Sequence, residues 1–165
     1  MSHTENLPPL NCDLAESAAR EEAYLGGAAC AGDARYWAGL LARQPDPAFD
    51  AGPLDFPRSL HAKTGIHRFE TRLHAATAQG LKSLAREHDA TLHAVMLTVL
   101  ALEARRRTGR ADFIIGTAAS VREAAAEAQV IGNSVNMLPL PCHVPRQVAF
   151  GAALRETQQA LAAAL

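Results

Sequence analysis

The side chains able to do chemistry are spread thinly along this sequence. Histidines stand at positions 3, 61, 67, 74, 88, 93 and 143. None is spaced as H-x-x-x-H or H-E-x-x-H, so a helical metal site has no support. His61 and His67 read as solvated groups, and His93 as a histidine at the rim of a core. No serine lies in G-x-S-x-G, which leaves no nucleophile elbow. The glycines form neither G-x-G-x-x-G nor a P-loop, so nucleotide binding is unsupported. Glu16, Glu21 and Glu22, and again Glu123 and Glu127, read as solvated helix faces. The basic run "EARRRTGR" falls where a helix should end, where cations complement the helix dipole. One stretch is different. "VIGNSVNMLPLPCHVP", Val130 to Pro145, is a strand-like apolar run that opens on Gly132 and is punctuated by Asn136 and Pro139. Its prolines confine such a strand to a sheet edge or a loop margin.

Composition narrows the classes of function. The 165 residues suit one domain or part of a larger one, with enough chain for a packed core. A formal charge of −1 argues against nucleic-acid or anionic-membrane partners. Cys12, Cys30 and Cys142 form no C-x-x-C pair, which points to a reducing compartment with no zinc site and no disulfide frame. No apolar run approaches the ~20 residues of a transmembrane helix. The polar start "MSHTENLPPLNCD" has no apolar signal-peptide core. The expectation is a cytoplasmic protein.

Periodicity supplies the elements that must position any site. A helix is expected over Leu14–Leu25, then a loop "GGAACAGD". A second helix follows, capped by Asp33, with Trp37, Leu40 and Leu41 on one face. Prolines make "PDPAFDAGPLDFPRS" an extended connector. "GIHRFETRL", Gly65–Leu73, alternates as a strand. "HAATAQGLKSLAREH" reads as a helix with Leu81, Leu84 and Ala85 inward. "ATLHAVMLTVLALEARRRTGR" reads as a helix capped by Asp89 or Thr91 and ended by Gly109. Its stripe is Leu92, Val95, Met96, Val99 and Leu100, and further apolar sides place it between layers. Phe113–Thr117 reads as a short strand interrupted by Gly116, and "VREAAAEAQ" as one or two helical turns. "QVAFGAALRETQQALAAAL" closes the chain as a helix with Phe150, Leu154, Thr157, Leu161 and Leu165 as its seam. That seam runs to the last residue, which suggests a domain that continues past it. The class is α/β or α+β, a sheet covered by helices.

At "GTAASVREAAAEAQVIGNSVNMLPL" the sequence resembles the C-terminal lobe of condensation domains from nonribosomal peptide synthetases. That family carries G-T-P-x-x-x-R and then I-G-x-x-V-N-T-L-P-L-R. Gly116, Thr117 and Arg122 match the first run. Ile131, Gly132, Val135, Asn136, Leu138, Pro139 and Leu140 match the second, and neither run needs a gap. Tyr36-Trp37 with Leu40 and Leu41, "LDFPRS", and the strand–helix–helix–strand series that follows agree from about Asp13 onward. Departures fall at Ala118, Asn133, Ser134, Met137 and Pro141.

The resemblance implies an α/β chloramphenicol-acetyltransferase-like sandwich, here an incomplete single lobe of a two-lobed condensation domain. Residues 1–60 would be N-terminal helices and the inter-lobe connector, and residues 61–165 the partial C-terminal lobe. It implies amide-bond formation between an acyl or peptidyl donor and an aminoacyl acceptor. Both are tethered by phosphopantetheine to carrier proteins, with no cofactor bound directly. The implied partners are the carrier proteins, an N-terminal condensation lobe and adjacent synthetase domains, with self-association of an isolated lobe. Gly116, Arg122, Gly132, Asn136 and Pro139 would line the substrate tunnel or carry the motif. The family's catalytic H-H-x-x-x-D-G run has no counterpart in this sequence, so no catalytic or metal-binding residue is assigned. A non-catalytic carrier-binding or scaffold module is the alternative. A relative acting on coenzyme A thioesters is a third reading, and it would need the same histidine motif.

Overall fold

The computed structural model describes residues 12–42, 68–120, 127 and 130–164. The chain forms two compact units, one within Met1–Arg43 and Thr117–Leu138, the other within Gln44–Gly116 and Pro139–Leu165. The described elements are α1 Leu14–Leu25, α2 Ala28–Leu41, α3 Ala75–Glu87, α4 Leu92–Thr108, β1 Asp112–Ser120, β2 Val135–His143 and α5 Phe150–Ala164.

In the first unit, α1 starts with a capping box. Asp13 Oδ1 accepts from Glu16 N–H at 2.8 Å, and the Glu16 carboxylate accepts from Asp13 N–H at 3.2 Å. The expected eight-residue loop is only a Gly26-Gly27 turn, because "AACAG" has enough helical propensity to begin α2 at Ala28. Asp33 therefore lies inside α2 instead of capping it, and accepts a hydrogen bond from the Tyr24 hydroxyl at 2.5 Å. Of the expected face, Leu40 is buried and Leu41 exposed.

The second unit holds the larger core. α4 packs on α3 and α5. Ala94, Val95, Leu97 and Ala101 of α4 meet Ala85, Leu140, Cys142, Val144, Leu154 and Leu161. Thr91 caps α4 through Ala94 N–H at 3.0 Å, and Gly109 ends it in the left-handed region at φ 73°. The buried hydroxyls of Thr98 and Thr157 donate to carbonyls one turn back, Ala94 O at 2.7 Å and Ala153 O at 3.0 Å, so neither is a polar orphan.

The stripe expected on α4 is displaced. Only Val95 of it is buried, while Leu92, Met96, Val99 and Leu100 are 40–52% exposed. Ala94, Leu97, Thr98 and Ala101 complete the buried face with Val95, because α3 and α5 approach on that side. Described residues 68–74 form no strand, and Phe69 is 90% exposed. The alternation there is real, but among the described residues no strand pairs with it. The turns expected in "VREAAAEAQ" and the proline-rich connector lie outside the described residues, apart from Glu127.

Leu154→Ala should destabilise the folded chain by about 3 kcal/mol, because Leu154 is 0% exposed. Met96→Ala on the exposed side should change stability by less than about 1 kcal/mol. Chemical denaturation reads both; equal losses would restore the stripe that periodicity suggested.

Candidate functional site

The motif residues lie on and around the β1–β2 ladder. Val144 N–H donates to Ala111 O at 2.8 Å, and His143 Nδ1 lies 2.6 Å from Asp112 Oδ1. The end of β2 therefore sits beside the start of β1, and the strands run antiparallel. That register sets Cys142 opposite Phe113, Leu140 opposite Ile115, and Pro139 opposite Gly116. Opposed residues share a face, which is why Phe113 and Ile115 pack against the same core as Leu140 and Cys142. Burial drives the Cys142 thiol up to about 12, so it is an inert core group.

β1 runs through Gly116 to Ser120, and β2 runs straight through Pro139 and Pro141. The parity of the ladder explains the prolines. Backbone N–H groups of Leu138, Leu140 and Cys142 turn toward β1, and those of the odd positions turn away. Pro139 and Pro141 occupy odd positions, where a missing N–H costs no ladder bond. The two asparagines serve the other outward groups. Val135 N–H donates to Asn133 Oδ1 at 3.2 Å, and Met137 N–H to Asn136 Oδ1 at 2.8 Å. From Val135 to Pro141, every outward backbone donor of β2 is either bound by an asparagine or absent.

The structure thus brings Gly116 and Pro139 together across the ladder and leaves Asn136 exposed three residues upstream. Gly132 is exposed and lies near α1; a Cβ added there would meet Leu14 Cδ1 at 3.5 Å. Arg122 lies outside the described residues.

Two arrangements were not visible in the sequence. The Asp112–His143 pair joins residues 31 positions apart, and becomes evident only with the register. Both side chains are largely exposed, so it is worth no more than about 1 kcal/mol. The second is a cleft of about 330 Å³ lined by Leu102, Arg105, Arg106, Val144, Pro145, Arg146 and Val148. The signal for it was the run "EARRRTGR", read only as a helix terminus. Glu103 pairs with Arg106 at 2.7 Å and Arg107 at 2.6 Å. Hydrogen bonds from Arg106 and then Arg107 lower its carboxyl to about 2. Among the described residues no group of three or more His, Cys, Asp or Glu could hold a metal ion. Among them, no helix is long and apolar enough to cross a membrane.

The family model described as Condensation domain matches residues 1–165. The chain belongs to the condensation-domain family. It is 30% identical over 159 residues to phosphinothricin tripeptide synthetase PhsC of Streptomyces viridochromogenes, covering 96% of this chain and 14% of that protein. It is 30% identical over 107 residues to surfactin synthase subunit 1 of Bacillus subtilis, covering 65% of this chain and 3% of that one. Among solved structures, the first condensation domain of the calcium-dependent antibiotic synthetase superposes with a TM-score of 0.72 at 24% identity, covering 94% of this chain and 34% of that chain. The SgcC5 protein from Streptomyces globisporus gives a TM-score of 0.76 at 22% identity, with 96% and 35% covered. These likenesses establish the condensation-domain fold, and the chain spans about a third of the solved domains it resembles.

Replacing Pro139 and Pro141 together by valine should restore two outward donors on β2 and promote edge-to-edge association. Sedimentation velocity should show a concentration-dependent rise in mass over the parent chain. An unchanged distribution would contradict the edge role of the prolines.

Proposed function

We propose that this chain contributes part of the C-terminal lobe of an amide-forming condensation domain. In this reading residues 1–60 are N-terminal helices and the connector, and residues 61–165 belong to the lobe. The observation that carries it is the pair of motif runs, Gly116–Arg122 and Ile131–Leu140, each matching without a gap, set in a family match over all 165 residues. A carrier-tethered amine attacks a carrier-tethered acyl thioester; the C–N bond forms, the C–S bond breaks, and the thiol leaves. Positioning the amine against the carbonyl supplies much of the rate, and a histidine aids the proton transfer. The sequence contains no adjacent histidine pair, so that group belongs to a partnering lobe. Gly116, Arg122, Gly132, Asn136 and Pro139 shape the motif wall. Phosphopantetheine arms, carrier proteins and neighbouring synthetase domains are the partners, in the cytoplasm.

Support also comes from α4. Leu92, Met96, Val99 and Leu100 fall at i, i+4, i+7 and i+8, and all are exposed. Such an apolar stripe is one that a further layer of a full condensation domain would cover. The second reading, a carrier-binding scaffold without chemistry, is favoured by the missing histidine pair.

Loaded donor and acceptor carriers should give no amide product with this chain alone. Product should appear when a chain bearing the His-His motif is added, as read by mass spectrometry. Product from the chain alone would overturn the split assignment. No product in the mixture, with carrier binding intact, would favour the scaffold.

A further inference from the structure

The arginine-lined cleft at the end of α4 is used by none of the chemistry above. Its polar wall is Arg105, Arg106 and Arg146, and its apolar wall is Leu102, Val144, Pro145 and Val148. The three cations are not equivalent. Arg106 is occupied, because Nε and Nη2 donate to the two Glu103 oxygens at 2.7 and 2.8 Å. Arg105 donates through Nη1 to the Gly109 carbonyl, while its Nε is buried without any hydrogen-bond partner. Arg146 is exposed and enters no ion pair among the described residues. The cleft therefore presents two guanidiniums, Arg105 and Arg146, that have no carboxylate partner among the described residues, beside an apolar wall.

We propose that this cleft binds a phosphate monoester carrying a short apolar stem. Two unmatched guanidiniums balance the dianion, and their fork geometry suits phosphate oxygens. The volume of about 330 Å³ exceeds what a bare phosphate fills and leaves room for the stem against Val144, Pro145 and Val148. A monocarboxylate would balance only one of the two charges. The assignment stands apart from amide formation and survives or fails without it.

The test uses the full chain at low ionic strength, since exposed charges are screened by salt. Inorganic phosphate, butyl phosphate and butyrate are titrated by calorimetry. Saturable binding is expected for butyl phosphate, weaker binding for inorganic phosphate, and the weakest for butyrate. Arg146→Gln on the exposed rim, and separately Arg105→Lys, should each weaken butyl phosphate binding by about tenfold or more. Arg107→Gln, outside the cleft, should leave it unchanged. Circular dichroism confirms the fold of each variant, and Arg146→Gln keeps the test valid if Arg105→Lys unfolds. No saturable binding, butyrate binding as tight as butyl phosphate, or an equal loss in Arg107→Gln would each overturn the proposal.

Discussion

The hydrogen bond from Val144 N–H to Ala111 O sets the parity of the strand pair. Because side chains and backbone donors both alternate with a period of two, one ladder bond decides which residues enter the core and which donors point outward. Even positions of β2 supply Leu140 and Cys142 to the core that α3, α4 and α5 complete. Odd positions carry the prolines. A slip of one residue would put Leu140 in solvent and ask Pro139 to donate a bond it cannot make. Burial and proline chemistry thus select the same register.

The motif acquires a physical meaning from this. Asn133, Asn136, Pro139 and Pro141 looked like interruptions of a strand, yet β2 is continuous through the last three. Each deals with one outward backbone donor, by accepting from it or by lacking it. The Asn136 amide oxygen accepts from Met137 N–H, on an exposed stretch of β2.

Much of the fold was legible. The helix from Leu14 to Leu25, the Thr91 cap and the Gly109 stop follow from local chemistry, and local chemistry does not depend on the rest of the chain. What failed depends on partners. The buried side of α4 could not be read because the helix is apolar on more than one side, and packing by α3 and α5 makes the choice. Residues 68–73 alternate like a strand, but a strand exists only where another pairs with it. The family motif was readable because each of its two runs is contiguous. The Asp112–His143 pair and the arginine cleft were not, because register and a loop bring their residues together.

Backbone hydrogen exchange along β2, read residue by residue by NMR, tests the parity most directly. The amides of Leu138, Leu140, Cys142 and Val144 should exchange slowly, while those of Val135 and Met137, held only by exposed asparagine side chains, should exchange markedly faster. Slow exchange at Val135 and Met137 with fast exchange at Leu140 and Cys142 would contradict the register and, with it, the account of the motif.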